Sequence, residues 1–169
     1  MSRIVVIGAG VGGLAVAARL AVKRHDVTVV ERAQRAGGKL QRYTRDARDD
    51  EGYAFLLFRK SDDMLLGGVN LSNVTRGIRQ SCSVGYWIGQ RHARRGYMTD
   101  AVHTAVSFAF DQIRLHRVEA GCVPTNAASA GLLRKVGFQD EGFARKYLNI
   151  NGRWHDHLLF ALLASDPRV

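Results

Sequence analysis

The chain has only two cysteines, Cys82 and Cys122, with no x-x spacing between them and no cluster of histidines beside either. That excludes a disulfide framework and leaves no ligand set for a thiolate zinc site, so no metal is expected and both thiols read as buried and free. Long apolar runs are missing as well: nothing approaches the ~18 residues that a membrane-spanning helix needs. The apolar start at residues 4–7 is too short and too punctuated by glycine for a signal peptide, which makes the cytoplasm the expected compartment and excludes a membrane partner. There is also no basic tail. The net charge of +10 is divided between residues 1–50, with 10 basic and 5 acidic side chains, and residues 51–169, with 15 and 10. A field so spread out attracts nucleotide cofactors, ribosomes and nucleic acid alike, and it singles out no nucleic-acid partner. The 169 residues fit one domain, able to bury roughly 70% of its unfolded surface.

What is present is concentrated in residues 84–110. A short apolar strand over 84–88 leads into a basic loop, and Gly96-Tyr97-Met98-Thr99 then opens a helix. The unpaired N–H groups of a helix's first turn and its dipole both favour negative charge, so this stretch is an anion site in outline.

The N-terminus carries a second glycine-rich turn. Residues 3–7 read as a strand, residues 14–23 have helical spacing, and residues 27–31 read as a second strand, which makes a βαβ unit. Between them Gly8, Gly10 and Gly13 fit G-x-G-x-x-G: one for the tight turn, one for close approach to a pyrophosphate, one for helix–strand packing. Glu31 follows where a carboxylate can accept ribose hydroxyls. With Gly37-Gly38-Lys39, the segment resembles the flavin-binding motif of phytoene desaturases and amine-oxidase-like flavoproteins, over about residues 2–42. That resemblance implies FAD held by Gly8, Gly10, Gly13 and Glu31. Those families need several hundred further residues to enclose the flavin, so the competing reading is a structural appendage or the scar of a fusion.

Residues 44–52 are polar and charged, and a boundary is expected there: a βαβ segment over 1–45, a linker over 46–52 and a second unit over 53–169. Strands are expected over 53–58, 64–72 and 83–88, joined by short polar turns as an antiparallel meander. The helix after Gly96 has apolar residues at Met98, Ala101, Val102, Ala105, Ala109 and Ile113, spaced by three or four along one face. A strand over 117–123 and a helix over 127–136 ending at Gly137 follow. Strands over 138–150 and 153–163 then flank Asn151-Gly152, a strong hairpin signal. The order is β-β-β-α-β-α-β-β.

That order, with Gly67-Gly68-Val69, Gly85-Tyr86-Trp87-Ile88-Gly89, Gly96-Tyr97-Met98-Thr99-Asp100-Ala101, Arg117-Val118-Glu119-Ala120, Pro124-Thr125-Asn126-Ala127-Ala128-Ser129, Lys135-Val136-Gly137-Phe138 and Asn151-Gly152-Arg153-Trp154, resembles the GNAT superfamily of acetyl-CoA-dependent N-acetyltransferases. The likeness is to the type that acetylates the N-terminal amine of ribosomal proteins, and it spans residues 53–163. It implies an α/β (α+β) fold with a mixed, mainly antiparallel sheet flanked by helices, in which a Rossmann-type βαβ unit stands in place of the usual first strand and helices.

The resemblance also implies site residues. Backbone N–H groups of Arg94, Arg95, Gly96, Tyr97 and Met98 would hold the pyrophosphate of coenzyme A, with the Thr99 hydroxyl added and the guanidinium groups of Arg91, Arg94 and Arg95 beside it. Ala93 and Met98 depart from the family's pattern. The strand bearing Tyr86, Trp87 and Ile88 should splay from the one bearing Glu119, leaving a slot for the pantetheine arm. Asn126 resembles the residue that contacts the arm near the thioester, and equally fits a plain N-cap. Ser129 is the candidate proton donor to the leaving thiolate, or a first-turn serine. Glu119 is the candidate general base, or one half of an ion pair with Arg117 or another basic neighbour.

The leading expectation is therefore transfer of acetyl from acetyl-CoA to a primary amine, a small molecule or a protein N-terminus, weak or altered in acceptor because the acceptor-side helices are replaced. The alternatives are an FAD-binding oxidoreductase fragment and a catalytically silent chimera. Oligomeric state is open, with an uncovered sheet edge favouring a homo-oligomer.

Overall fold

The computed structural model describes residues 3–7, 26–30, 39–43, 52–59, 62 and 64–167. Nine strands form one sheet. In chain order they are β1 (Arg3–Ile7), β2 (Asp26–Val30), β3 (Lys39–Tyr43), β4 (Gly52–Phe58), β5 (Leu65–Thr75), β6 (Ser81–Ile88), β7 (Arg117–Cys122), β8 (Gln139–Ile150) and β9 (Arg153–Leu163), with helices α1 (Tyr97–Asp111) and α2 (Ala127–Val136). Their order across the sheet is β2-β1-β3-β4-β5-β6-β7-β9-β8.

The meander forms as its alternation predicts. Phe55 faces Val69 and Val69 faces Tyr86, so these side chains share one face, while Ala54, Asn70 and Gly85 share the other. The shared face of Tyr53, Phe55, Leu57, Val69 and Leu71 is buried, and α1 covers it with Met98, Ala101, Val102, Ala105, Val106, Ala109 and Phe110. Three alanines in that stripe bring the helix close to the strands; Phe108, at its edge, meets Tyr53 and Phe55 edge-on at 5.3 and 5.4 Å. α1 is also the crossover that a parallel pair requires, and β6 and β7 are parallel. α2 packs beside α1 on the same side and ends at Gly137, whose φ of 109° frees its N–H to bond the carbonyls of Leu133 and Arg134. The β8–β9 hairpin turns on Asn151 and Gly152, both with positive φ (51° and 79°), as a two-residue primed turn demands.

Two strand boundaries differ from expectation by more than one residue. β5 runs three residues further, to Thr75, and β6 starts two earlier, at Ser81, because the two strands stay paired as far as Thr75↔Ser81. β3 was not expected. Its residues look unremarkable alone and become a strand by pairing along their whole length with β4, from Lys39↔Phe58 to Tyr43↔Ala54. The expected boundary at 46–52 thus falls between two hydrogen-bonded neighbours. β1 and β2 are parallel; Gly8, Gly10, Gly13 and Glu31 lie outside the described residues.

Candidate functional site

β6 and β7 are paired at Ser81↔Arg117, Cys82↔Val118 and Ser83↔Glu119, and there the pairing ends. β6 continues to Ile88 on β5, and β7 continues to Cys122 on β9, each keeping its outer partner while losing the inner one. The result is the expected splay: a slot whose facing edges carry backbone N–H and C=O groups without a strand between them.

The slot leads to the N-terminus of α1. After β6 the chain makes a short 3-10 turn (Gln90–His92), and then Arg94 and Gly96 both take positive φ, 61° and 84°. The first α-helical bond is Asp100 N–H to Gly96 O at 3.1 Å, and no side chain caps the end. The N–H groups of Tyr97, Met98 and Thr99 are therefore the orphan donors of the first turn. A Cβ built on Gly96 would meet nothing within 4 Å, so the cradle is open toward solvent there. Arg91, Arg94 and Arg95 are exposed and form no ion pair among the described residues, unlike Arg59, Arg117 and Arg134. Met98, which departs from the expected pattern, presents only its backbone here. Its side chain is 5% exposed and belongs to the core. Tyr97 and Ile88 pack against the core, and Thr99 is half-buried in the first turn. His92 contributes a buried Nδ1 with no hydrogen-bond partner among the described residues, a feature that its sequence context did not mark.

Partway along the slot a side-chain contact ties β6 to α2. The Tyr86 hydroxyl lies 2.7 Å from Ser129 Oγ and 3.4 Å from Ser129 O. Burial pushes the Tyr86 phenol up from its ordinary value, with the Ser129 hydrogen bond opposing. The Cys122 thiol is also pushed up by burial, with Ser129 opposing. Both cysteines are buried and free. Asn126 is an N-cap: its Oδ1 accepts the Ser129 N–H at 3.0 Å. Its amide nitrogen keeps two donors for a ligand.

Glu119 is engaged. Arg117 Nε donates to it at 2.8 Å and Arg79 Nη2 lies 3.3 and 3.4 Å from its two oxygens, while Arg117 also holds Glu141. This ion-pair chain stands where the slot closes. The pairing with Arg117 matches the second of the two sequence readings; Arg79, 40 residues away in sequence, enters only through the register of β6 against β7. Trp87 points to the opposite face from Tyr86, 54% exposed, and rests on Gly68, where a Cβ would come within 2.8 Å of the indole nitrogen. Among the described residues no group of three potential ligands could hold a metal, and no helix is long and apolar enough to cross a membrane.

Residues 13–139 match the family model described as an acetyltransferase (GNAT) domain. YjcK of Bacillus subtilis (strain 168), named as a probable N-acetyltransferase, is 42% identical over 128 residues, covering 76% of this chain and 71% of its own. The [ribosomal protein uS5]-alanine N-acetyltransferase of Escherichia coli (strain K12) is 37% identical over 119 residues, 70% of this chain and 61% of that one. Among solved structures, Mycobacterium smegmatis RimJ in complex with CoA-disulfide superposes with a TM-score of 0.66 at 35% identity, covering 70% of this chain and 56% of that chain. The chain thus spans less than two thirds of the length of the last two. A 4,4'-diapophytoene desaturase of Staphylococcus haemolyticus (strain JCSC1435) is 51% identical over 43 residues, only 9% of that protein. A stretch so short gives no support to a flavin site. The splayed parallel strands, the uncapped helix end and the family match over most of the chain agree: this chain belongs to the GNAT acetyltransferase family, a family of acyltransferase enzymes.

Proposed function

We propose that the chain transfers acetyl from acetyl-CoA to a primary amine, and that a protein N-terminus is the acceptor class. The observation that carries this is the end of β6–β7 pairing at Ser83↔Glu119, with the slot so opened leading to the uncapped end of α1 at Gly96. A linear donor with a polyanionic head and an amide-bearing arm suits such a site: phosphates at the orphan N–H groups of Tyr97, Met98 and Thr99 and at Arg91, Arg94 and Arg95, which have no ion pair among the described residues, amides along the strand edges. The acceptor class rests on the relatives named for ribosomal-protein alanine acetylation.

Within this reading, acetyl-CoA is a substrate that supplies the activated acyl group. The protein's part is to hold it, to offer Ser129 as proton donor to the departing sulfur, and to hold the arm at Asn126. Glu119, bound by two guanidinium groups, acts as base through an intervening water. We assign these roles to residues 53–169 and take residues 1–45 as a segment standing where the acceptor wall would be, which weakens or redirects the choice of amine. The compartment we assign is the cytoplasm. Thermal denaturation with and without coenzyme A, followed by coenzyme A release against a panel of amines and N-terminal peptides, tests the reading. With coenzyme A about 100-fold above its dissociation constant, ~2.7 kcal/mol of stabilisation is expected, and its absence overturns the proposal.

A further inference from the structure

The Tyr86–Ser129 contact ties β6, one lip of the slot, to α2, the helix that follows β7. Ser129 is fixed from below by its N–H bond to Asn126 Oδ1. We propose that Tyr86 is a positioning residue for acyl transfer: its phenol donates a hydrogen bond to Ser129 Oγ and so directs the serine's own proton toward the leaving sulfur. The inference rests on the acetyl-transfer reading above and adds a residue to it.

The donor assignment follows from chemistry. A hydroxyl has one hydrogen to give and two lone pairs to receive. At 2.7 Å the Tyr86–Ser129 contact is at the preferred O–H···O distance, whereas the alternative acceptor, Ser129 O, is 3.4 Å away. A half-buried phenol keeps its proton and remains a donor. With one lone pair occupied by Tyr86, Ser129 has its hydrogen left for a sulfur.

In the reaction the amine nitrogen bonds to the thioester carbonyl carbon, the C–S bond breaks, and its electron pair leaves on sulfur. The Ser129 proton passes to that sulfur. The proton shed by the acylated amine passes through water to Glu119 and then, by way of solvent, restores Ser129, so one amide, one thiol and an unchanged enzyme result. Tyr86 keeps its proton throughout and holds the serine oxygen in place.

The test compares Tyr86→Phe, Ser129→Ala and the double variant. Phe keeps the ring packing; Tyr86→Met fills the same place without a hydroxyl and serves if Phe fails to fold. Loss of a proton donor lowers rates by ~100-fold or more, so Ser129→Ala should lower kcat by about that factor and Tyr86→Phe by roughly tenfold, with KM for acetyl-CoA within about twofold of wild type. The double variant should match Ser129→Ala, because the two groups act as one unit. A second readout needs no turnover. Coenzyme A should bind progressively better than desulfo-coenzyme A as pH rises and its thiol ionises, and this gain should vanish in Tyr86→Phe and in Ser129→Ala alike. Wild-type kcat in Tyr86→Phe, an equal loss with and without Ser129, or an unchanged thiol-dependent gain overturns the proposal while leaving acetyl transfer intact. Absence of both coenzyme A stabilisation and coenzyme A release in the wild type overturns this proposal and the acetyl-transfer reading together.

Discussion

Replacing Gly96 isolates backbone conformation from packing, because the residue sits at φ 84°, ψ −22° and a Cβ there would meet nothing within 4 Å. Any effect must come from the left-handed conformation itself. For ordinary L-residues that conformation costs ~1–2 kcal/mol, for Asn less, and for a β-branched residue more. In a chain of this size ~1 kcal/mol lowers Tm by about 2–4 °C, so Gly96→Ala should lose ~2–8 °C, Gly96→Asn less and Gly96→Val the most. To escape the strain the valine variant must rotate the peptide between Arg95 and Tyr97, which moves the orphan N–H groups of α1. The stabilisation by coenzyme A, ~2.7 kcal/mol or roughly 5–10 °C at 100-fold excess over the dissociation constant, should therefore fall in the order Gly, Asn, Ala, Val. Gly10→Val should leave it unchanged. Differential scanning fluorimetry over a coenzyme A titration reads both quantities in one experiment. A valine variant that keeps the full coenzyme A shift, or an alanine variant as stable as the asparagine one, refutes the placement of the cradle at Gly96.

Asn126→Ala removes the cap on α2 and should cost about 1 kcal/mol of stability, seen as a lower Tm, whereas Asn126→Asp should retain it. If the amide nitrogen also holds the acyl donor, the aspartate variant will be stable yet bind coenzyme A more weakly in calorimetry. The Arg134 guanidinium holds Asp140 below the usual carboxylate range, and Arg117 does the same for Glu141. Because the folded values are depressed, these pairs stabilise above the ordinary carboxylate values, and the contribution is lost as pH falls through the folded ones. Arg134→Met should accordingly flatten the decline of Tm below about pH 4, and a steeper decline would contradict the pairing. Burial pushes the Cys82 thiol up to about 12, so at pH 8 it should resist a thiol reagent in the native protein and react only along the unfolding transition. Fast native labelling of Cys82 would refute its burial.

Local chemistry made much of this molecule legible. The bounds of α2 coincide with those read from the sequence, because Asn126 and Gly137 are respectively a good N-cap and a left-handed C-cap and the apolar spacing between them is helical. The Asn151-Gly152 turn, the alternation of the meander and the α1 stripe from Met98 to Ala109 were readable for the same reason, since each depends on residues within a few positions of one another; Ile113, expected on that stripe, lies past the helix end at Asp111. Both cysteines read as buried free thiols, and they are. β3 was not legible, since a five-residue strand is defined by its partner more than by its own propensity.

The sequence by itself thus determined which elements exist in residues 53–163, where their ends are capped, and that a loop with uncapped donors follows the strand at 84–88. Only the tertiary structure decided how these elements act on one another. The register of β6 against β7 sets where their pairing stops and hence where the slot begins, brings Arg79 to Glu119 across 40 residues, and sets Tyr86 within 2.7 Å of Ser129 across 43. It also turned the unusual Met98 into the core, leaving the cradle to its backbone. Caps, turns and periodicities are local and so are written in short stretches of chain, whereas a register between distant strands is settled by packing of the whole sheet.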